Sequence, residues 1–468
     1  MTNRAITALS VVFTLLFALL FVRQAYVQIV AASAIAAKPS NPRHTLLDAF
    51  RGRILATDGT VLAENDGSTR AYPMGAALAQ TVGYVSVRYG TSGIEDAYDR
   101  ALTPPDTTGD LLAQLDEIRA AVRGESYVTR GADVVTTIVP AVQERLFQLL
   151  APQSRAAGVV LDPRTGAILA IASVPSYDPR AVENEFAALT SDPGSPLLNR
   201  ALDGLYPPGS TFKIFTASAA LDNATVTMGS HFDDPGYLVI GNYVLHDNES
   251  EATGYQDLTN AFALSSNVDF AQIALKLGTS DFYRYLDRWR IGESLDFQLP
   301  AQRSSVPPQS SIVPGELAQM GFGQGALLMT PMQMALIGAT IANGGIEPRP
   351  FIVRQVVRDG TPASVSNAGS LADPVSSDVA ANVTKMMIAV VERGTGTPAR
   401  LPHVTVAGKT GTATNPLGRS HAWFVCFAPA DRPRVAVAVV VENVGYGATY
   451  AAPIAREVLR TALEYSGS

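Results

Sequence analysis

Three short stretches hold side chains whose types and spacing suit acyl transfer. In YPPGSTFKIFTASAAL, Tyr206 to Leu221, a serine stands three residues ahead of a lysine, behind two prolines and a glycine. If a helix begins near Ser210, as Pro207, Pro208 and Gly209 imply, the Ser210 and Lys213 side chains leave one face with Cβ atoms about 5–6 Å apart. A serine hydroxyl is a weak nucleophile until a neighbouring base takes its proton. A lysine amine is such a base when burial lowers its pKa enough to leave it neutral. The start of a helix adds positive potential where an oxyanion would form. S-x-x-K alone is a common pattern, and a lysine that snorkels from an ordinary helix would read the same way.

In ALSSNVDFAQIA, Ser265, Ser266 and Asn267 open a second apolar helical stretch. They offer a hydroxyl for proton relay and an amide to hold a carbonyl, or only a helix cap. In VAGKTGTAT, Lys409-Thr410-Gly411-Thr412 falls in a predicted strand, where Gly411 would admit a substrate backbone, or else forms a turn. Each stretch alone is bland; the ordered set S-x-x-K, S-x-N, K-T-G-T is specific to class A β-lactamases and penicillin-binding proteins. Lysine usage points the same way. The chain has five lysines against thirty arginines, and two of the five, Lys213 and Lys409, fall in these motifs. Arginine would supply charge equally well but cannot be deprotonated in a protein.

The positioning elements are legible in outline. GVVLDPRTGAILAIASVPS reads as two apolar strands around an Asp-Pro-Arg-Thr-Gly turn; a mainly helical middle follows. The strands VTVAGKTGTAT, HAWFVCFAPA and RVAVAVVVENVG and a final helix, APIAREVLRTALEY, close the chain. Strands at both ends of a helical middle predict an α+β fold, an α/β sandwich with one mainly antiparallel sheet packed between helices. Ahead of it, residues 31–152 read as a small, loop-rich, β-containing domain. It holds a hairpin in RGRILATDGTVLAEN turning at Asp58-Gly59 and an amphipathic helix over 110–122. The expected division is 1–30, a cytoplasmic tail and anchor; 31–152, a non-catalytic domain; and 153–468, the catalytic domain.

From Ala5 to Val22 no residue is charged, and the length matches a bilayer core. A membrane helix is expected. A cleaved signal is the alternative, since Ala32-Ser33-Ala34 and Ala34-Ile35-Ala36 resemble cleavage sites, although Arg23 and about ten further residues separate them from the apolar run. Orientation does not follow from Arg4 on one side and Arg23, Lys38 and Arg43 on the other. A net charge of −7 argues against a nucleic-acid partner. The five histidines lack metal-ligand spacing, so no metal or cofactor is expected. GFGQG, Gly321 to Gly325, has neither the preceding strand nor the following lysine of a phosphate loop. The lone Cys426 sits in an apolar run as a buried thiol.

The motifs, with RGRILATDGTVLA, YGTSGIEDAYDRAL, LLNRALDGLYPPGSTFK, GFGQGALLMTPMQMALIGATIANGG and ERGTGTPARLPHVTVAGKTGTA, resemble the monofunctional, class B penicillin-binding proteins, D,D-transpeptidases that cross-link peptidoglycan. The shorter actinobacterial-type members are the most similar. About 110 residues between anchor and catalytic domain are too few for a glycosyltransferase module. The resemblance implies roles. Ser210 is the nucleophile, Lys213 its base, and Ser265 with Lys409 a proton relay to the leaving amine. Asn267 binds the acyl side-chain amide, and Thr410, Gly411 and Thr412 the terminal carboxylate, helped by the charge on Lys409. The backbone N–H groups of Ser210 and Thr412 form the oxyanion hole. It also implies stem peptides as substrates, β-lactams as covalent inhibitors, a catalytic domain outside the cytoplasm, and a polytopic glycan polymerase as partner.

Two alternatives stand beside it. A β-lactamase would share the acylation machinery, but no glutamate between the second and third motifs is followed four residues later by asparagine, the class A deacylating pair. Class D enzymes usually carry valine where this chain has Asn267. A non-catalytic β-lactam sensor would need further membrane helices or an output domain, and the sequence shows neither.

Overall fold

The apolar runs at the two ends of the larger part of the chain meet in one sheet. In this computed structural model, which describes residues 2–26, 50–67, 69–104, 130–247, 252–366, 368–415 and 418–465, strands Ala156–Leu161 (β1) and Ile168–Val174 (β2) pair across the Asp162–Gly166 turn. Strands Ala407–Asn415 (β3), Gly418–Ala428 (β4) and Val435–Val441 (β5) complete a five-stranded sheet in the order β3-β4-β5-β1-β2, antiparallel throughout. From His421 onward β4 is buried, and so is all of β5, because helices cover both faces; both read as unbroken apolar runs. Successive side chains still go to opposite faces. Val425 and Phe427 enter one core, Phe424 and Cys426 the other.

Helix Thr2–Ala25 (α1) carries an apolar window, Thr7–Gln24, with a mean hydropathy of 1.9 and none of it buried against the rest of the protein; it is long enough to cross a membrane. On one face of the sheet lie Pro140–Leu150 (α2) and, from the chain end, Ala451–Tyr465 (α8), with Leu146 and Val458 in a shared core. The other face carries the middle of the chain: Lys213–Asp222 (α3), Leu258–Leu264 (α4), Asn267–Leu277 (α5), Pro331–Ala342 (α6) and Ser377–Arg393 (α7). Helix α6 is buried nearly all round and lies close on the sheet, since a Cβ at Gly338 would come 2.7 Å from Val425 Cγ1. The α+β sandwich expected from the strand–helix–strand order is the fold observed.

The amino-terminal part is built on a six-stranded sheet in the order Thr361–Val365, Val353–Arg358, Asp133–Thr136, Ile54–Leu55, Val61–Asp66, Thr69–Ala71. The expected hairpin is present, with Leu55 opposite Val61 and Gly59 at a φ of +86° in the turn. Two strands of this sheet come from beyond residue 350, so the two parts interleave, and α2, ahead of residue 152, packs on the central sheet. Beneath the hairpin, Glu95 is fully buried between Arg51 and Arg70, each guanidinium Nε 2.7 Å from one carboxylate oxygen. The helix expected over 110–122 lies outside the described residues.

Candidate active site

Ser210 sits in a 3-10 turn, Gly209–Phe212, that runs straight into α3. Both Ser210 and Lys213 are buried, and Lys213 Nζ lies 3.0 Å from Ser210 Oγ. The turn is clamped on all sides. Gly209 adopts a φ of +53°, and a Cβ there would come 2.8 Å from Thr412 O. Its N–H donates to Gly323 O at 2.9 Å. A Cβ on Gly323 would come 2.1 Å from Gly209 O, so GFGQG braces the nucleophile turn from below. Trp423 Nε1 donates to Pro207 O at 3.0 Å, and Tyr206 Oη to Glu442 Oε1 at 2.8 Å. A Cβ on Gly411 would come 2.9 Å from Thr211 Cγ2; the close approach that Gly411 admits here is that of this turn.

Ser265 ends α4 in the left-handed region, φ 68° and ψ 35°, before Ser266 caps α5 by accepting from Asp269 N–H at 3.0 Å. Non-glycine residues rarely hold that conformation. Here the reversal brings both the carbonyl and the hydroxyl of Ser265 to Lys213. Lys213 Nζ donates to Ser265 O at 2.5 Å and to Asn267 Oδ1 at 2.8 Å, and lies 3.2 Å from Ser265 Oγ. A neutral amine has two N–H groups and one lone pair. The two acceptors that can only accept take both N–H groups, and the lone pair is left for the hydroxyl proton of Ser210. On the far side of Ser265 Oγ stands Lys409 Nζ, 2.7 Å away and 3.2 Å from Thr410 O.

Burial sets the electrostatics. Desolvation pushes the Lys213 pKa down from 10.5 to about 7, against the opposing pull of Asp247, Asp269 and Asp234. Lys409, also fully buried, is held well below the ordinary lysine value, first by burial and then by the charge on Lys213. The standing charge expected on Lys409 is therefore opposed by its surroundings. The three aspartates form a buried polar layer behind the second motif. Asp247 Oδ1 accepts from Asn267 N–H at 3.0 Å, Ser266 Oγ donates to Asp234 Oδ2 at 2.8 Å, and Gln256 Nε2 donates to Asp269 Oδ2 at 2.7 Å. Burial pushes the Asp269 carboxyl up to about 6.

These groups open into a cleft of about 590 Å³ that Ser210, Asn267 and Thr412 line together. Thr412 belongs to β3, the sheet's edge strand, and Thr410 and Thr414 share its face. Sequence reasoning missed the rest of the lining: Tyr243, Leu245, His246 and Asp247 from a hairpin, Gln319, Phe322, Gln324 and Gly325 around GFGQG, and Thr414. GFGQG was a usable signal, because a glycine-rich segment without phosphate-loop context has to be explained by close backbone packing. His421 is buried in β4, where Nδ1 accepts from Asn443 N–H at 3.3 Å. A larger cavity, about 650 Å³ near Arg164, Arg432 and Arg434, holds none of the motif residues.

Comparison with known proteins agrees with this geometry. Residues 156–460 match the penicillin-binding protein transpeptidase domain, and residues 51–124 match the penicillin-binding protein A dimerisation domain. The chain is 33% identical to peptidoglycan D,D-transpeptidase PbpA of Mycolicibacterium smegmatis, over 98% of this chain and 99% of that one. Its identity to PbpA of Mycobacterium tuberculosis is 34%, covering 99% of each. Among solved structures, the ceftriaxone acyl-enzyme complex of M. tuberculosis penicillin-binding protein A superposes with a TM-score of 0.82 at 32% identity, over 89% of this chain and 99% of that one. The D,D-transpeptidase domain from Eggerthella lenta gives 0.80 at 33%, over 90% and 99%. Three motifs converging on one cleft, in a fold and a full-length sequence shared with these proteins, mean that this chain belongs to the penicillin-binding protein transpeptidase family.

Proposed function

We propose that the chain is a peptidoglycan D,D-transpeptidase that works through an acyl-enzyme on Ser210. The observation that carries this reading is the fully buried amine of Lys213, 3.0 Å from Ser210 Oγ, with Ser265 Oγ within reach of both it and Lys409. Lys213 takes the hydroxyl proton while Ser210 Oγ attacks the carbonyl between the two terminal D-alanines. The oxyanion forms against the backbone N–H groups of Ser210, at the start of a helical run, and of Thr412 on the edge strand. As the C–N bond breaks, the proton passes from Lys213 through Ser265 Oγ to the departing amine, with Lys409 holding the hydroxyl from the other side. D-alanine leaves, and an amine of a second stem peptide attacks the ester, so the kinetics are ping-pong. Asn267 holds the acyl side-chain amide, and Thr410 and Thr412 hold the terminal carboxylate. A β-lactam enters by the same first step and stays attached.

The membrane helix orients the catalytic domain to the outside, where both substrates are, and a polytopic glycan polymerase supplies the strands to be joined. Both statements rest on the chemistry of the substrate and on family membership. The division into 1–30, 31–152 and 153–468 is proposed on the same basis, with the strands after residue 350 lent to the amino-terminal sheet. The direct test is Ser210→Ala: covalent labelling by a fluorescent penicillin disappears while the protein stays folded. Labelling that persists, or moves to Ser265, would overturn the assignment. Label released within minutes would mark a β-lactamase instead.

A further inference from the structure

The loop after α7, Gly394-Thr395-Gly396, is pressed between the second and third motifs. Thr395 N–H donates to Ala263 O at 3.2 Å, in the last turn before Ser265, and Gly394 and Gly396 N–H both donate to Val390 O. The two glycines make this fit possible. A Cβ at Gly394 would come 2.3 Å from Ala263 O, and one at Gly396 would come 2.9 Å from Val390 Cγ1. So held, Thr395 Oγ1 lies 2.5 Å from Thr410 Oγ1. Thr410 is itself buried in β3, on the strand face shared with Thr412 of the cleft.

We propose that Thr395 is a positioning residue for recognition of the substrate carboxylate, one that orients the Thr410 hydroxyl. The inference rests on the reading above, in which Thr410 and Thr412 hold that carboxylate. A hydroxyl has one proton and two lone pairs. If Thr410 gives its proton to Thr395, it presents lone pairs to an incoming anion and repels it. If Thr395 donates, the Thr410 proton is free to point into the cleft, and the two aligned O–H dipoles strengthen the contact with the carboxylate. Because Thr395 is tied to the turn preceding Ser265, it also holds the carboxylate site in register with the proton relay.

The test compares penicillin G with its methyl ester, which keeps the reactive ring and loses the carboxylate charge. Thr395→Val, nearly isosteric and without a hydroxyl, lowers the second-order acylation rate by penicillin G about tenfold, the loss of one oriented charge-assisted hydrogen bond. Acylation by the ester changes less than twofold, and Thr395→Ser restores penicillin G acylation to within about threefold of wild type. In a Thr410→Val background, Thr395→Val has no further effect. Equal losses with both ligands, additive losses in the double variant, or no loss at all would overturn the proposal. If Thr395→Val does not fold, the same comparisons on Thr395→Ala decide. A wild-type protein that formed no acyl-enzyme would overturn the transpeptidase reading itself, which the Ser210→Ala labelling identifies separately.

Discussion

If Lys213 is the base, acylation should titrate with it. A lysine at its ordinary pKa is neutral in about one molecule in 3,000 at pH 7. With burial holding the amine at about 7, half the molecules carry a free base. The gain is ~10³-fold in competent enzyme, and the charged form is disfavoured by ~5 kcal/mol relative to water. The sign follows from the mechanism: protonation removes the base, so the second-order rate of acylation by penicillin is flat above pH ~7.5 and falls tenfold per pH unit below ~6.5. At pH 5 about a hundredth of the plateau rate remains. The groups around Lys213, namely Lys409, Asp234, Asp247 and Asp269, shift the midpoint without changing its direction. Lys213→Arg places a guanidinium that cannot lose its proton in a site with no solvent access, and acylates at least ~10²-fold more slowly with no inflection between pH 5 and 9. Stopped-flow acylation of folded wild type and variant across that range measures both. A wild-type plateau extending to pH 5, an inflection near 10, or a Lys213→Arg rate close to wild type would each refute the neutral-amine argument.

Lys409→Arg, which keeps the charge that the resemblance assigns to this residue, loses a comparable ~10²-fold. Its amine is fully buried 2.7 Å from Ser265 Oγ, and a guanidinium neither fits nor deprotonates there. Retention of a tenth of the wild-type rate would restore the electrostatic view. Glu95→Ala leaves the buried Arg70 without its counter-charge and Arg51 with Asp99 alone, and destabilises the amino-terminal sheet by about 3–5 kcal/mol. Equilibrium unfolding in urea reads this as an earlier transition, and an unchanged curve would show that water replaces the carboxylate.

Much of the fold was legible because its signals are local. The Asp58-Gly59 hairpin, the strands flanking Asp162–Gly166 and the closing helix follow from turn residues and periodicity within about twenty residues. The six-stranded sheet was not legible. Val353–Arg358 pairs with Asp133–Thr136 more than two hundred residues away, and nothing in either segment names the other.

The candidate site divides in the same way. Sequence alone determined that Ser210 and Lys213 meet, because three residues on a helical run place two side chains on one face whatever surrounds them. It also determined the residue types: an amine where arginine was available, hydroxyls, and glycines. Tertiary structure decided what those types do. Ser265 meets Lys409 across 144 residues of chain, and only the left-handed turn at Ser265 gives Lys213 its second and third partners. Gly411 and Gly323 let the nucleophile turn pack closely against them, and Thr395 reached Thr410 through the loop that follows α7. The lowered pKa of Lys213 was decided last of all, because desolvation is set by every atom that excludes water from the amine, and those atoms come from segments far apart in the chain.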